Sequence, residues 1–220
     1  MKILLISDEE SPSLWDYYQP EKLSGVDLIL SCGDLKREYL EFLVTMTNRP
    51  LFYVHGNHDL GFIDAPPEGC ECLDDRVVDV NGLRIIGLGG CMRYHPGPLQ
   101  YTEAEMARRI RRLRRSLRRM QGVDIVIAHA PPQGLGDADD PAHRGFACFR
   151  DLIDKYKPCF FIHGHVHPRY GHRLPRSFSY GETTVFNAVG WHILEIEPKS
   201  RPNRKSWLTT MFGNKALRES

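Results

Sequence analysis

Seven side chains that could bind a metal ion or transfer a proton stand directly after short apolar runs of this 220-residue chain. Carboxylate, amide and imidazole donors bind divalent cations at roughly 2.0–2.3 Å, and a pair of metals about 3.5–4 Å apart shares a bridging carboxylate. Burying several ionisable groups without partners is costly, and metal binding removes that cost. The pattern therefore predicts a divalent-metal site built from Asp8, Asp34, Asn57, His58, His129, His165 and His167.

Five apolar runs carry these residues and are predicted to be buried strands, at 2–7, 26–31, 51–54, 124–128 and 159–162. In open α/β sheets, ligands bind at the carboxyl ends of such strands. Glycines precede Asp34, Asn57 and His165, where they allow tight turns. His165 and His167 are separated by one residue, so both reach one site only if the backbone bends or if each serves a different metal.

The remaining pattern predicts a layered α/β fold with partly mixed sheets. Asn81-Gly82 marks a hairpin between strands 77–80 and 83–88, and a second hairpin is predicted at 178–186 before a last strand at 191–196. Helices are predicted at 35–46, 103–120 and 149–156. We expect a single domain over residues 1–197, followed by a basic C-terminal tail over 198–220.

The ordered blocks resemble the calcineurin-like metallophosphoesterase superfamily, whose motifs are D-x-H, GD, GNH-D/E, H and G-H-x-H. Here the blocks are Asp8-Glu9-Glu10, Gly33-Asp34, Gly56-Asn57-His58-Asp59, His129 and Gly164-His165-Val166-His167. The resemblance implies a four-layer α/β/β/α sandwich with two mixed sheets. It also implies a binuclear centre that activates water to attack phosphorus.

The resemblance assigns a role to each matched position. Asp34 would bridge the metals, with Asp8 and His167 on the first ion and with Asn57, His129 and His165 on the second. His58 would contact a phosphoryl oxygen or protonate the leaving group, and Asp59 would orient it.

The first block departs from the family pattern because Glu10 stands where a histidine is usual. A carboxylate there favours a hard ion, so the predicted cofactors are two divalent cations, Mn²⁺ first, with Fe, Zn or Mg²⁺ as alternatives. Alternatively, Glu10 turns away and leaves the first site weak. Arg37 and Arg93 are candidate substrate-binding residues because guanidinium binds phosphate in a bidentate manner, the alternative being surface salt bridges.

The helix predicted at 103–120 has a second notable feature. Thr102 and Glu105 form a capping-box pair, and an apolar stripe runs along one face of the helix, while eight arginines occupy the other faces. Such a surface is typical of a solvated outer helix, and it could also bind a polyanion or an acidic protein partner.

Composition limits the remaining possibilities. The formal net charge is only +1, so no global field indicates a nucleic-acid or membrane partner. Six scattered cysteines and the lack of any apolar run long enough to span a membrane predict a reduced, cytoplasmic protein.

The predicted function is metal-dependent phosphoester hydrolysis. A phosphodiesterase is favoured because the chain is close to a minimal core without a cap insertion, which leaves an open cleft. The alternatives are a phosphomonoesterase or protein phosphatase, a nuclease that uses the arginine-rich helix, and a non-catalytic scaffold on the same fold.

Overall fold

The computed structural model describes residues 1–167 and 175–197, and the strands and helices below lie in those ranges. Three short 3₁₀ turns, Pro12–Leu14, Pro20–Leu23 and Asp59–Phe62, supplement them. The predicted tail at 198–220 lies outside the described residues. In chain order the elements are β1 (Lys2–Ser7), β2 (Leu28–Ser31), α1 (Arg37–Thr47), β3 (Leu51–Tyr53), β4 (Glu71–Cys72), β5 (Val77–Val80), β6 (Leu83–Leu88), β7 (Cys91–Met92), β8 (Gln100–Tyr101), α2 (Glu103–Met120), β9 (Ile125–Ala128), α3 (Ala147–Tyr156), β10 (Phe160–His163), β11 (Ser177–Tyr180), β12 (Thr183–Asn187) and β13 (Gly190–Glu195).

The strands form two large sheets. The first has the order β13-β1-β2-β3-β4, with β1 to β4 parallel and β13 antiparallel to β1. The second has the order β11-β12-β10-β9-β6-β5, with four parallel central strands and an antiparallel strand at each edge. Strands β7 and β8 form a separate small parallel sheet. The predicted α/β class with two mixed sheets is confirmed.

Successive side chains along the strands point to opposite faces of the sheets, and they divide among three hydrophobic clusters. Ile3 and Leu5 of β1 share a buried cluster with Ile125 and Ile127 of β9, so the two large sheets pack against each other. The opposite face of the first sheet packs on α1, and the opposite face of the second packs on α2 and α3. This arrangement is consistent with the α/β/β/α layering that the resemblance implies.

Helix α2 has the predicted bounds because its start is set by a capping box. The Thr102 hydroxyl accepts a hydrogen bond from the Glu105 amide at 3.3 Å, and the Glu105 carboxylate accepts one from the Thr102 amide at 2.7 Å. The apolar stripe is buried as predicted, and Arg109 is buried with it.

The predicted hairpin at 77–88 is also confirmed, with Asn81 and Gly82 at positive φ in the turn. Other bounds differ by one or two residues: α1 begins at Arg37 rather than at residue 35, because Lys36 is still extended. Sequence periodicity did not predict the two-residue strands β4, β7 and β8. Within the described residues, none of the helices combines the length and apolar character that a membrane span requires.

Candidate metal centre

Three electron-rich atoms converge beyond the carboxyl ends of β2, β3 and β9. The Nε2 atom of His129 lies 3.2 Å from Asp34 Oδ2 and 3.0 Å from Asn57 Oδ1. His129 is fully buried, and its Nδ1 lies 2.8 Å from the carbonyl oxygen of Cys32. Because Nδ1 must donate to that carbonyl, Nε2 of the neutral ring presents a lone pair to two further oxygens. Such an arrangement requires a shared positive charge.

In the metal-free protein, a proton can supply that charge. Burial alone would lower the pKa of His129, but the Asp34 carboxylate outweighs burial and raises the pKa to about 9. Burial in turn would raise the pKa of Asp34, but the charge on His129 holds it at about 2. A divalent cation that replaces the proton would satisfy the same donors.

His165 contributes a third donor to this centre. Donor atoms of Asp34, His129 and His165 all lie within 4.8 Å of one another. The Nε2 of His165 lies 2.8 Å from the carbonyl oxygen of Ala142, so Nε2–H donates there and Nδ1 is left as the ligand atom. Burial lowers the pKa of His165 to about 3, and the ring is therefore neutral, as a metal ligand must be.

The backbone bends sharply at three of these ligands. Asp8, Asp34 and His165 have φ of 62°, 55° and 66°, in the left-handed region that is strained for non-glycine residues. The bend at His165 explains how His165 and His167 can serve one centre although a single residue separates them. Strain of this kind concentrates at functional sites.

At two glycines the backbone lies very close to candidate ligands from other segments of the chain. A Cβ on Gly56 would lie 1.9 Å from Asp34 Oδ1, and one on Gly164 would lie 2.0 Å from the hydroxyl of Ser7 and 2.3 Å from Asp8 Oδ2. Neither position can hold a larger residue without moving a ligand. The glycines of the GNH and GHxH blocks are therefore required sterically.

The residues predicted for the first metal also lie together. Asp8 Oδ1 is 3.8 Å from His167 Nε2, while Asp8 Oδ2 accepts hydrogen bonds from the Ser7 hydroxyl at 2.5 Å and the His165 amide at 2.9 Å. His167 Nδ1 lies 3.2 Å from Glu9 Oε1, which orients the ring. Burial raises the pKa of Asp8, and a bound cation would favour its charged form.

Asp59 and His58 are neighbours in sequence but differ in burial, since Asp59 is buried and His58 is exposed. The Asp59 carboxylate is buried, and its Oδ2 accepts hydrogen bonds from the amides of Gly56 at 2.7 Å and Asp34 at 2.8 Å. Asp59 therefore ties the GNH loop to the backbone of Asp34, and burial raises the pKa of Asp59 to about 6. His58 is exposed, and its amide donates to Asp34 Oδ1 at 2.8 Å.

Of the three remaining predicted residues, Glu10 is the one that lines a cavity with members of this core in the described part of the chain. Glu10 accepts a hydrogen bond from the amide of Lys36 at 3.0 Å, and it lines a cavity of about 330 Å³ together with Asp34 and His58. Arg37 forms an ion pair with Glu41 at 3.5 Å. Arg93 pairs with Glu105 at 2.9 Å and also donates to the carbonyl of Gln100 at 3.2 Å.

Several contributors to the site were not found from the sequence. The carbonyl oxygens of Cys32 and Ala142 orient two histidines, and Ser7 and Glu9 contact Asp8 and His167. Backbone carbonyls carry no residue-type signal. Glu9 lies between Asp8 and Glu10 and could have been found from its position, but it occupies the unspecified middle position of the D-x-H motif.

The donor set fits a divalent cation. Carboxylate oxygens, an amide oxygen and neutral imidazoles suit Mn²⁺, Fe²⁺ or Zn²⁺, and two of the imidazoles are already oriented through their other nitrogen. The model for calcineurin-like phosphoesterases matches residues 1–169, which includes every one of these donors. The chain belongs to the calcineurin-like phosphoesterase family.

The chain is also similar to individual proteins and to a solved structure. An uncharacterized protein of Haemophilus influenzae is 28% identical in an alignment that covers 82% of this chain and 92% of that protein. The lariat debranching enzyme of Entamoeba histolytica is 24% identical in an alignment that covers 67% of this chain and 49% of that enzyme. The crystal structure of TT1561 of Thermus thermophilus matches with a TM-score of 0.60 at 16% identity, over 86% of this chain and 89% of that one. At that identity the structural match shows the fold alone.

Proposed function

We propose that this protein hydrolyses phosphodiesters at a centre of two divalent metal ions. The observation that carries the proposal is that lone pairs of Asp34, Asn57 and His129 converge on one point. The family to which the chain belongs consists of phosphoesterases, which supports the same reaction class. Asp34, Asp8 and His167 would hold the first ion, and Asp34, Asn57, His129 and His165 would hold the second. Bound ions would supply an activated water and would neutralise charge on the phosphoryl group.

The protein's own residues then position the substrate and move a proton. His58 is exposed beside Asp34, at the cavity where a phosphoester would enter. Its amide is fixed on the Asp34 carboxylate, so the imidazole remains available to hydrogen-bond a phosphoryl oxygen or to protonate the leaving group. Asp59 supports His58 indirectly, by holding the loop.

The preference for diesters rests on the open cleft. The described residues form two large sheets, the small β7-β8 sheet and three α-helices, without a cap domain over the cavity. A diester has a group on each side of phosphorus, and an open cleft accommodates both. Arg37 and Arg93 are proposed to bind phosphate oxygens or the distal group, and each must first leave its ion pair with a glutamate.

The first test is hydrolysis of bis(p-nitrophenyl) phosphate and p-nitrophenyl phosphate with Mn²⁺, Mg²⁺ or chelator. We expect turnover that requires metal and is faster with the diester, and we expect Asp34→Asn to abolish it. Asp154→Asn is the matched control, because it makes the same chemical change on an exposed face of α3. Metal-bound protein without turnover of either ester would refute the proposal and favour a scaffold.

The second test concerns His58. His58→Ala should lower kcat by about 10²–10⁴-fold without changing metal content, since general acid catalysis contributes that much. The loss should be larger for a diester with an alkyl leaving group than for the nitrophenyl diester, because the poorer leaving group depends more on protonation. Equal losses for both would remove His58 from leaving-group protonation.

Metal content of the purified protein tests the binuclear assignment. Elemental analysis should give two ions per chain, Mn²⁺ preferred, for the wild type and one for His167→Ala. Glu10→Gln should keep two ions if Glu10 only accepts from Lys36, as its present hydrogen bond indicates. A drop to one ion would make Glu10 a ligand.

A further inference from the structure

Charge is distributed very unevenly between α2 and the rest of the chain. Helix α2 contains eight arginines and two glutamates, a net charge of +6, whereas the whole chain carries +1. The remaining residues therefore sum to −5. The small overall charge hides one strongly basic helix on an otherwise acidic protein.

Seven of the eight arginines are exposed, and Arg109 is the buried one. At 100° per residue, the exposed set spans an arc of about 160° opposite the buried stripe. Among the described residues Arg112 pairs with Asp75, and no ion pair is formed by the other six. These six are Arg108, Arg111, Arg114, Arg115, Arg118 and Arg119.

Fold stability accounts for only part of this charge, because of the eight arginines only Arg118 and Arg119 lie in the last turn, where the helix dipole favours cations. Like charges three or four residues apart destabilise a helix, and glutamate–lysine pairs at the same positions would have stabilised it. Some exposed cations elsewhere have acidic partners: Arg76 pairs with Glu71, and Lys157 pairs with Glu182, each at 2.6 Å. Others, such as Arg49 and Arg150, form no ion pair among the described residues, but α2 gathers six such arginines on one helix. The unpaired face therefore matches a negative ligand from outside the chain.

A groove borders this face and adds an apolar surface. It lies between α2 and α3 and has a volume of about 240 Å³. Its charged lining is Arg111 and Arg114 on the α2 side and Asp151 and Lys155 on the α3 side, so cations outnumber the single carboxylate. Ile110, Leu152 and Tyr156 also line it. A phosphate chain alone needs only the cations, whereas a base of a nucleic acid could cover the apolar lining and contact the Tyr156 ring.

We propose that the arginine face of α2, together with this groove, binds single-stranded nucleic acid. Arg108, Arg111, Arg115 and Arg118 lie on one stripe at i, i+3, i+7 and i+10, which spans about 15 Å and presents guanidinium groups to successive phosphates. A membrane surface fits less well, because the large apolar side chains exposed in the described residues are Tyr17, Met46, Leu60, Ile63 and Tyr94, and all lie outside α2 and α3. The proposal is independent of the proposed hydrolysis.

Fluorescence anisotropy with labelled 16-nucleotide oligouridylate, in chelator so that no metal-dependent cleavage occurs, tests the proposal. Four phosphate contacts predict a slope of log K against log salt of about −3, since each contact to a single strand contributes about −0.7. Arg111→Gln with Arg115→Gln should reduce the slope to about half of that and should weaken binding by about tenfold or more at low salt. Thermal melting and turnover of the small diester should be unchanged in this variant.

The matched control carries the same loss of two positive charges elsewhere, in Arg76→Gln with Lys157→Gln. It should keep the wild-type affinity and slope. Equal weakening by the control, or an affinity that does not depend on salt, would overturn the proposal. Equal affinity for inorganic polyphosphate of matched length would also overturn it, because the groove would then contribute nothing.

Discussion

Arg109, the buried arginine of α2, allows a direct test of how burial determines the strength of an ion pair in this fold. Its Nε donates to Asp75 Oδ1 at 2.7 Å, its Nη1 donates to the carbonyl of Gly89 at 2.6 Å, and the guanidinium stacks on the Tyr101 ring at 4.3 Å. Arg112 donates to the other oxygen of the same Asp75 at 3.1 Å, but its side chain is 63% exposed against 6% for Arg109. One carboxylate thus serves two arginines in different environments.

Replacing each arginine by methionine should give very different losses. Removing one partner of a buried ion pair costs about 3–5 kcal/mol. Water can reach Asp75, whose side chain is 32% exposed, so we reduce the expected loss for Arg109→Met to about 2–3 kcal/mol. Arg112→Met should cost at most about 0.5 kcal/mol. At roughly 2–4 °C per kcal/mol, Arg109→Met lowers the melting temperature by about 5–10 °C.

Urea unfolding, followed by tryptophan fluorescence and by circular dichroism, measures both losses. The urea midpoint should fall for Arg109→Met with an unchanged slope, while the midpoint of Arg112→Met should equal that of the wild type. Similar midpoints for the two variants would refute the reasoning, because burial would then have no influence on the shared ion pair.

Three further predictions concern the metal centre. Gly164→Ala should reduce metal-dependent turnover by about 100-fold, since its Cβ would displace Ser7 and Asp8, whereas Gly97→Ala, whose Cβ would meet nothing closer than 3.6 Å, should retain activity. Metal at about 100 times its dissociation constant should stabilise the fold by about 2.7 kcal/mol in thermal melting, and chelator should reverse the gain; an unchanged melting temperature would contradict the site. Because the metal-free pKa of His129 is raised to about 9, metal uptake near neutral pH should release a proton and affinity should fall as pH is lowered. Calorimetry in buffers of different ionisation enthalpy measures that release, and identical heats in all buffers would argue against it.

The elements predicted best from the sequence are those with strong local signals. The capping box at Thr102 set the start of α2, and Asn81-Gly82 set the turn between β5 and β6. The two-residue strands β4, β7 and β8 have no such signal, since they are too short to show a period and depend on neighbours distant in sequence.

The site divides in the same way. The candidate metal ligands could be proposed from the sequence because glycines and apolar runs frame them, and the structure brings His129 to Asp34 and Asn57 from different parts of the chain. The contacts that orient these residues could not be predicted. They come from backbone carbonyls, such as that of Cys32, and from left-handed backbone at residues whose type does not indicate that conformation. Both depend on tertiary contacts.

The left-handed backbone at Asp8, Asp34 and His165 has a consequence for the lifetime of the protein. Each such position costs about 1 kcal/mol or more, and in the metal-free chain no bound cation offsets that strain. A chain synthesised where metal is scarce would bear these costs without a bound cation to offset them. It would unfold locally more often, and proteases would degrade it faster. Metal supply would then set how much of the protein persists as well as how active it is.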